Sequence, residues 1–394
     1  MRRLTALALA CTCAAACSPR YVLRAGYEEA KILWRREPIE RVLARPGVDP
    51  VERRKLETVL AARRFAVDLG LRVGGSFASL SYVDGDSTVH VLSAAKRTAL
   101  APYTWWFPIV GRVPYKGFFA RARAEAEAAA LEARGYDTAI RPAAAFSTLG
   151  WFDDPLLRHL LRHDEGFLVN LVLHEVYHNT VYLGGAQATA FNESLATFVG
   201  HRGAIAFFAT GPGHEDLARR AETEWEDAMC FGAFIERLAA RLQQAYAAVP
   251  DEAAALAARA EIFAAARSEL ASLPLTTDEL AHSFLEHPNN AVLLHHLLYA
   301  SGLDLFEQAY RRHGDLRGAL SLIEGAARSV PGDPFAAVRR ALAVSPRDAQ
   351  SSTSGGAAID AAGAPVLSAG GSCRSTSAPP IERYPILTGN VDGA

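Results

Sequence analysis

His174, Glu175 and His178 stand in "HEVYH", two imidazoles four residues apart with a carboxylate beside the first, and Glu193 follows fifteen residues after His178. On an α-helix, positions four apart share a face one turn apart, so both rings can point at one ion while Glu175 sits beside them. A catalytic zinc takes three protein ligands and keeps a fourth position for water, so a third ligand is required downstream. Glu193, in "AFNESLATFVGHR", is the candidate, and "LGGAQAT" supplies glycines for a turn that returns a second helix across the first. His174, His178 and Glu193 would then hold one Zn2+ per chain. Glu175 is not a ligand in this scheme. It is the general base that takes a proton from the attacking water and passes it to a leaving amine. The chemistry is hydrolysis of a peptide bond, with a peptide as the partner. The bland alternative is a helical hairpin with satisfied core histidines and solvated glutamates. Against it, three ionisable residues in an otherwise apolar helix are costly to bury unless something pairs with them.

Such a reaction also needs a donor for the oxyanion. The stretch "PNNAVLLHHLLYASG" offers Tyr299 first, as a second catalytic residue, and then His295 or His296. His201, eight residues after Glu193, lies about two turns along the same helix face and could orient a group near the ion. Thr197 occupies the position four after Glu193, where an acidic partner would otherwise support a ligand.

The elements that must position these residues are legible in outline. "DEGFLVNLVLHEVYHNTVY" reads as a helix, with Asp164 and Glu165 suited to its first turn. Residues 20 to 72 read as two helices, "YVLRAGYEEAKILWRREPIERVL" and a second opening at Asp49-Pro50. Between Gly74 and Tyr115 the texture turns β-branched and aromatic, which predicts strands and a small sheet. A helix over 117 to 134 ends at Gly135, another strand follows, and the chain beyond Gly203 is helical to about residue 343. Cys230, among apolar residues at helical spacing, reads as a small buried filler, and no disulfide framework is indicated. The fold class is α+β, divided at 18–162 (helices and a small mixed sheet) and 163–345 (the HExxH active-site helix and a mainly helical C-terminal part). Residues 346–394, rich in Ser, Gly, Ala and Pro, read as a disordered tail.

The 394 residues, 50% apolar and 21% charged, suffice for a large core. A net charge of -2 without a basic run gives no electrostatic footprint for nucleic acid, and no nucleic-acid partner is expected. "MRRLTALALACTCAAACSPR" has the plan of an export signal over residues 1–17, too short to span a bilayer. "AAAC" makes Cys17 a candidate for lipidation. The expected location is therefore periplasmic or cell-envelope, with a membrane tether through the Cys17 lipid.

"GYEEAKILWRREPIERVL", "YTWWFPIVGRVPYKGFF", "FSTLGWFDDPLL", "HEVYH", "TAFNESLATFVG" and "NNAVLL" occur in this order across about residues 20 to 320. Together they resemble the bacterial predicted aminopeptidases, lipoprotein-like zinc metallopeptidases of the glutamate-ligand (gluzincin) type. The resemblance implies a zincin-like fold and an exported zinc aminopeptidase with His174, His178 and Glu193 as ligands and Glu175 as base. It also implies that "FSTLGWF" is an edge strand pairing with an extended peptide. The loop between His178 and Glu193 is slightly longer than the family's usual form, and Ala188 stands where an acidic residue is expected. Glu37, Asp153 and Asp154 are exposed-looking candidates for holding a substrate α-amine. The competing reading is a non-catalytic peptide-binding or envelope-interaction lipoprotein on a degenerate scaffold of the same kind.

Overall fold

The computed structural model describes residues 27, 30–82, 89–107, 111–142, 153–184, 188–211, 213–249, 251–277, 279–330 and 332–343. The export signal with Cys17, the "FSTLGWF" strand and the C-terminal tail lie outside the described residues.

The fold is mixed α+β. The first expected helix is interrupted: strand β1 (Arg36–Pro38) comes before helix α1 (Ile39–Leu43). Pro38 has no N–H to donate and disfavours helical backbone in the residue before it, so the chain extends there instead of winding on. Helix α2 (Pro50–Asp68) opens where Asp49-Pro50 predicts, with the Asp49 carboxylate accepting the Val51 and Glu52 amides at 2.9 Å. Six strands and a helix follow: β2 (Ser79–Ser81), β3 (His90–Lys96), β4 (Trp105–Phe107), β5 (Gly111–Val113), β6 (Tyr115–Phe118), α3 (Arg121–Glu132) and β7 (Tyr136–Pro142). Helix α3 starts four residues later than expected because Tyr115–Phe118 is committed to β6. Gly135 closes it at a φ of 82°, where a side chain would be strained.

The strands form separate small sheets. β6-β3-β7 is antiparallel throughout, β4 and β5 make a hairpin, and β1-β2-β8 (Leu156–Leu157) is mixed, with β1 antiparallel and β8 parallel to β2. In the first sheet, successive side chains point to opposite faces. Leu92, Ala94, Phe118 and Ile140 face α3 and share its core with Ala124, Ala128 and Leu131. The other face receives helix α9, introduced below.

After a short 3-10 turn (Arg158–Arg162) come α4 (Glu165–Thr180), α5 (Ala188–Ala209), α6 (Glu215–Ala248), α7 (Glu252–Ala271), α8 (Glu279–Glu286), α9 (Asn290–Ala300), α10 (Leu303–His313), α11 (Leu316–Ser329) and α12 (Pro334–Ala343). The largest core joins Leu56 and Val59 of α2 to Leu168, Val172 and Val176 of α4, Phe191 and Phe198 of α5, Phe306 of α10 and Ile323 of α11. A second core packs Phe234 and Leu238 of α6 against Phe263 of α7, Phe284 of α8 and Leu293 of α9. Among the described residues no helix is long and apolar enough to cross a membrane. Cys230 is buried on α6 as expected, but it is disulfide-bonded, which corrects the reading of a simple filler; its partner lies outside the described residues.

Two glycines let α5 lie close on α4. A Cβ at Gly200 would stand 2.4 Å from the Asn170 amide oxygen and 3.0 Å from its backbone carbonyl; at Gly203 it would meet Leu173 Cδ1 at 2.6 Å. Gly200→Ala is therefore expected to cost about 1–3 kcal/mol in overpacking, only partly offset by about 1 kcal/mol of helix propensity. Gly325 of α11 has open space around its Cβ position, so Gly325→Ala is expected to gain the propensity alone, up to about 1 kcal/mol. Denaturant midpoints should move in opposite directions for the two variants.

Candidate metal centre

Helix α4 is buried nearly all round and is capped by Asp164, whose carboxylate accepts the Phe167 amide at 2.9 Å. Glu165 in its first turn meets Arg54 at 2.7 Å and the Thr58 hydroxyl at 3.0 Å, which ties the helix to α2. Asn170, His174 and His178 fall four residues apart on one stripe. Helix α5 crosses this stripe antiparallel, Gly200 over Asn170 and Glu193 over the histidines.

The crossing brings three side chains together. His174 Nε2 and His178 Nε2 lie 3.3 Å apart, and Glu193 Oε2 is 3.6 Å from each. Donors about 2.0–2.1 Å from a tetrahedral zinc would be about 3.3–3.4 Å from one another, so the observed triangle is nearly the size a shared ion requires. Two imidazole nitrogens and one carboxylate oxygen are also the right donor chemistry. The residues present thus fit the group. Burial alone would raise the Glu193 carboxyl, but its bonds to His174 and His178 hold it well below the usual carboxylate range. Burial alone would lower His178, and the bond to Glu193 reverses this into a net rise. Glu175 is not part of the triangle. Its Oε2 is buried with no hydrogen-bond partner among the described residues, and unsatisfied buried carboxylate oxygens are uncommon.

Three consecutive residues of α5 hold three different things. Asn192 is buried and grips Leu183 twice, accepting its amide at 3.1 Å and donating to its carbonyl at 2.9 Å, so the segment leaving α4 is fixed. Glu193 meets the histidines. The Ser194 hydroxyl donates to the Leu298 carbonyl and accepts the Ser301 amide, both at 3.0 Å, and so clamps the end of α9 that carries Tyr299. Only Glu193 is singled out by metal-ligand spacing. Asn192 and Ser194 carried no recognisable signal, since their partners are backbone groups.

The oxyanion candidates separate. The Tyr299 ring stacks beside His174 at 6.2 Å, and burial, then the Glu193 carboxylate, push its hydroxyl up. His295 packs edge-on to Tyr299 at 5.2 Å, with Nδ1 buried and unpartnered. His296 points elsewhere, against Phe231 and Phe284 of the second core, and burial lowers it to about 4. His201 packs on Trp225 at 5.5 Å and is also lowered to about 4 by burial, with His174 and Arg202 adding to the effect. Its ring is neutral near pH 7, and no hydrogen bond joins it to a metal-site residue among the described residues. The Thr197 hydroxyl bonds back to the Glu193 carbonyl at 2.9 Å. Glu37 is engaged by Arg45 at 2.7 Å, Asp153 accepts the Gly75 amide at 2.7 Å, and Asp154 is buried with its carbonyl on the Phe77 amide. None of these three has an interaction with the triangle.

Two residues that sequence reasoning missed also face the site. The Tyr115 hydroxyl of β6 is raised by burial and then by Glu193, with Glu175 contributing, and Arg141 of β7 opposes these effects. Tyr115 lies inside "YTWWFPIVGRVPYKGFF", a stretch that assigned it no role, and Arg141 lies in no motif. Their only signal is the two-residue alternation that puts both on the same sheet face.

Glu236 of α6 supports the same region by accepting the Gly302 amide at 2.8 Å just beyond α9. Burial raises its carboxyl to about 7, although that amide bond works against the rise. The folded state thus binds the proton more tightly than the unfolded chain. The associated stability is full below the ordinary carboxylate range and is lost as pH rises towards 7. Glu236→Gln keeps an acceptor for Gly302 without a charge to bury. It is expected to flatten the fall in Tm between about pH 4.5 and 7.

The mixed α+β fold thus presents three side chains that could hold a metal ion, beside a carboxylate with one buried oxygen unpartnered among the described residues. The chain belongs to the family described as "Putative aminopeptidase", whose profile matches residues 20–326. No curated protein and no solved structure matches it.

Proposed function

We propose that the protein is a zinc-dependent aminopeptidase of the glutamate-ligand type with a zincin-like arrangement, acting on peptides in the cell envelope. The observation that carries this reading is the triangle of His174 Nε2, His178 Nε2 and Glu193 Oε2, with sides of 3.3, 3.6 and 3.6 Å. These three residues would hold the ion. When bound there, zinc supplies a Lewis acid and lowers the pKa of water.

The other groups belong to the chain. Glu175, with an unpaired buried oxygen, takes the proton of the attacking water and delivers it to the leaving amine. Tyr299, beside His174, offers its hydroxyl to the oxyanion; its raised pKa keeps it protonated and a donor at neutral pH. Export and a lipid tether at Cys17 complete the proposal, placing the site at a membrane surface without a spanning helix.

The test is metal content and turnover on one preparation. About one zinc per chain, hydrolysis of a mixed peptide library from free N-termini, and loss of both on chelation with recovery on zinc addition are expected. A zinc-free wild type that is not activated by zinc would sink the reading.

A further inference from the structure

Arg141 faces the site, and unlike Tyr115 and His295, which the proposed reaction also leaves without a task, it carries a positive charge. It lies on β7 opposite Val91, on the same face as Ala139 and Asp137. That face is covered by α9, and the register between strand and helix is pinned at one end. The Asn290 amide donates to Asp137 Oδ2 at 2.9 Å and Asn289 Nδ2 donates to the Thr138 carbonyl at 3.0 Å. From Asp137 to Arg141 the strand advances about 13 Å, and from Asn290 to Tyr299 the helix advances about 13 Å. Arg141 therefore lies level with the end of α9 that carries His295 and Tyr299. Its charge is felt at both of these side chains, at His296 and at Tyr115.

Arg141 is half-buried, its Nε is buried with no hydrogen-bond partner, and among the described residues no carboxylate forms an ion pair with it. Asp137, the acidic residue on its own strand face, is occupied by Arg259 and Arg97. Glu193 is occupied by the histidines, and Glu175 makes no ion pair with Arg141. A guanidinium withdrawn from water beside a reaction centre calls for an anion, and its planar fork suits a carboxylate. Tyr115, 37% exposed on the same sheet face, marks the open side by which such a group would enter.

We infer that Arg141 binds a carboxylate of the substrate, and that the preferred substrates are short peptides whose free C-terminus reaches the sheet face opposite α9. The inference rests on the peptidase reading and refines it. It favours short substrates, because Arg141 and the proposed metal ligands both act on Tyr299 at one end of α9. The same chemistry would serve an acidic side chain, so the test must separate the two sources.

Full-chain protein carrying Glu175→Gln binds peptide without turning it over, and calorimetry can compare trialanine, trialanine amide and the amide of Ala-Asp-Ala. Trialanine is expected to bind about tenfold or more tighter than its amide, and Arg141→Ala in the same background should abolish the difference. Arg141→Lys should restore part of it. Zinc content and Tm on each sample show whether the substituted protein is folded and its metal site intact. The preference is read from binding, so a chain without turnover would refute the peptidase reading and leave this inference testable. Equal affinity for trialanine and its amide, no binding of trialanine at millimolar concentration, or a preference that survives Arg141→Ala would overturn it. Tight binding of the Ala-Asp-Ala amide alone would overturn the C-terminal assignment.

Discussion

Glu175→Gln is expected to lower kcat by about 10²–10⁴-fold while leaving zinc content unchanged. The two halves of this result have separate causes. The amide has nearly the shape of the carboxylate, so helix α4 and its two histidines stay where they are, and none of the three ligating atoms is touched. What is lost is the basic oxygen. Glu175 Oε2 is buried and makes no hydrogen bond among the described residues, so replacing it should cost little stability. A variant that lost zinc together with activity would place Glu175 among the ligands and refute its role as base. Atomic absorption and peptide hydrolysis on one sample decide between these outcomes.

Glu193→Ala should abolish the metal site. Loss of an outer hydrogen-bond partner costs a metal site about 10–100-fold in affinity, and loss of a ligand costs more. Zinc is then expected to fall from about one per chain to near zero after dialysis, with activity lost in parallel. The change also removes the carboxylate that sits 3.6 Å from both imidazoles, leaving the buried His178 ring and the half-buried His174 ring 3.3 Å apart with only Glu175 as a nearby negative charge among the described residues. The metal-free variant should therefore be less stable than the metal-free wild type at pH values where the His178 ring is protonated. Circular dichroism with a Tm series over pH measures this separately from zinc content. Unchanged zinc in Glu193→Ala would remove the carboxylate from the ligand set.

The closeness of His174, His178 and Glu193 could be read from the sequence because helix geometry alone puts residues four apart on one stripe, and because the glycines after His178 allow the chain to return. The Asp49-Pro50 and Asp164 helix starts were equally local. What could not be read depends on partners distant in sequence. Arg141 and Tyr115 come from strands of seven and four residues, and their shared face follows from pairing with β3. His295 and His296 are adjacent in a uniformly apolar helix, so only the packing of α9 between the sheet and α6 distinguishes the one near Tyr299 from the one in the aromatic core. The break at Pro38 was available in principle, but apolar periodicity on both sides masked it. The expected small sheet became several because β1, β2 and β8 are two or three residues long and pair with one another, away from β3.

Asn192, Glu193 and Ser194 leave α5 about 100° apart from one another, as any three successive helical residues do. Each direction ends on a different anchor: the Leu183 backbone, the paired imidazoles, and the Leu298 and Ser301 backbone. The helix is consequently keyed against rotation about its own axis at the turn where the ligand sits. A twist large enough to move Glu193 off the histidines would tear both neighbours from their anchors as well. Residues that touch neither histidine thus hold Glu193 in place, and loosening either neighbour is expected to broaden the range of metals the proposed site accepts.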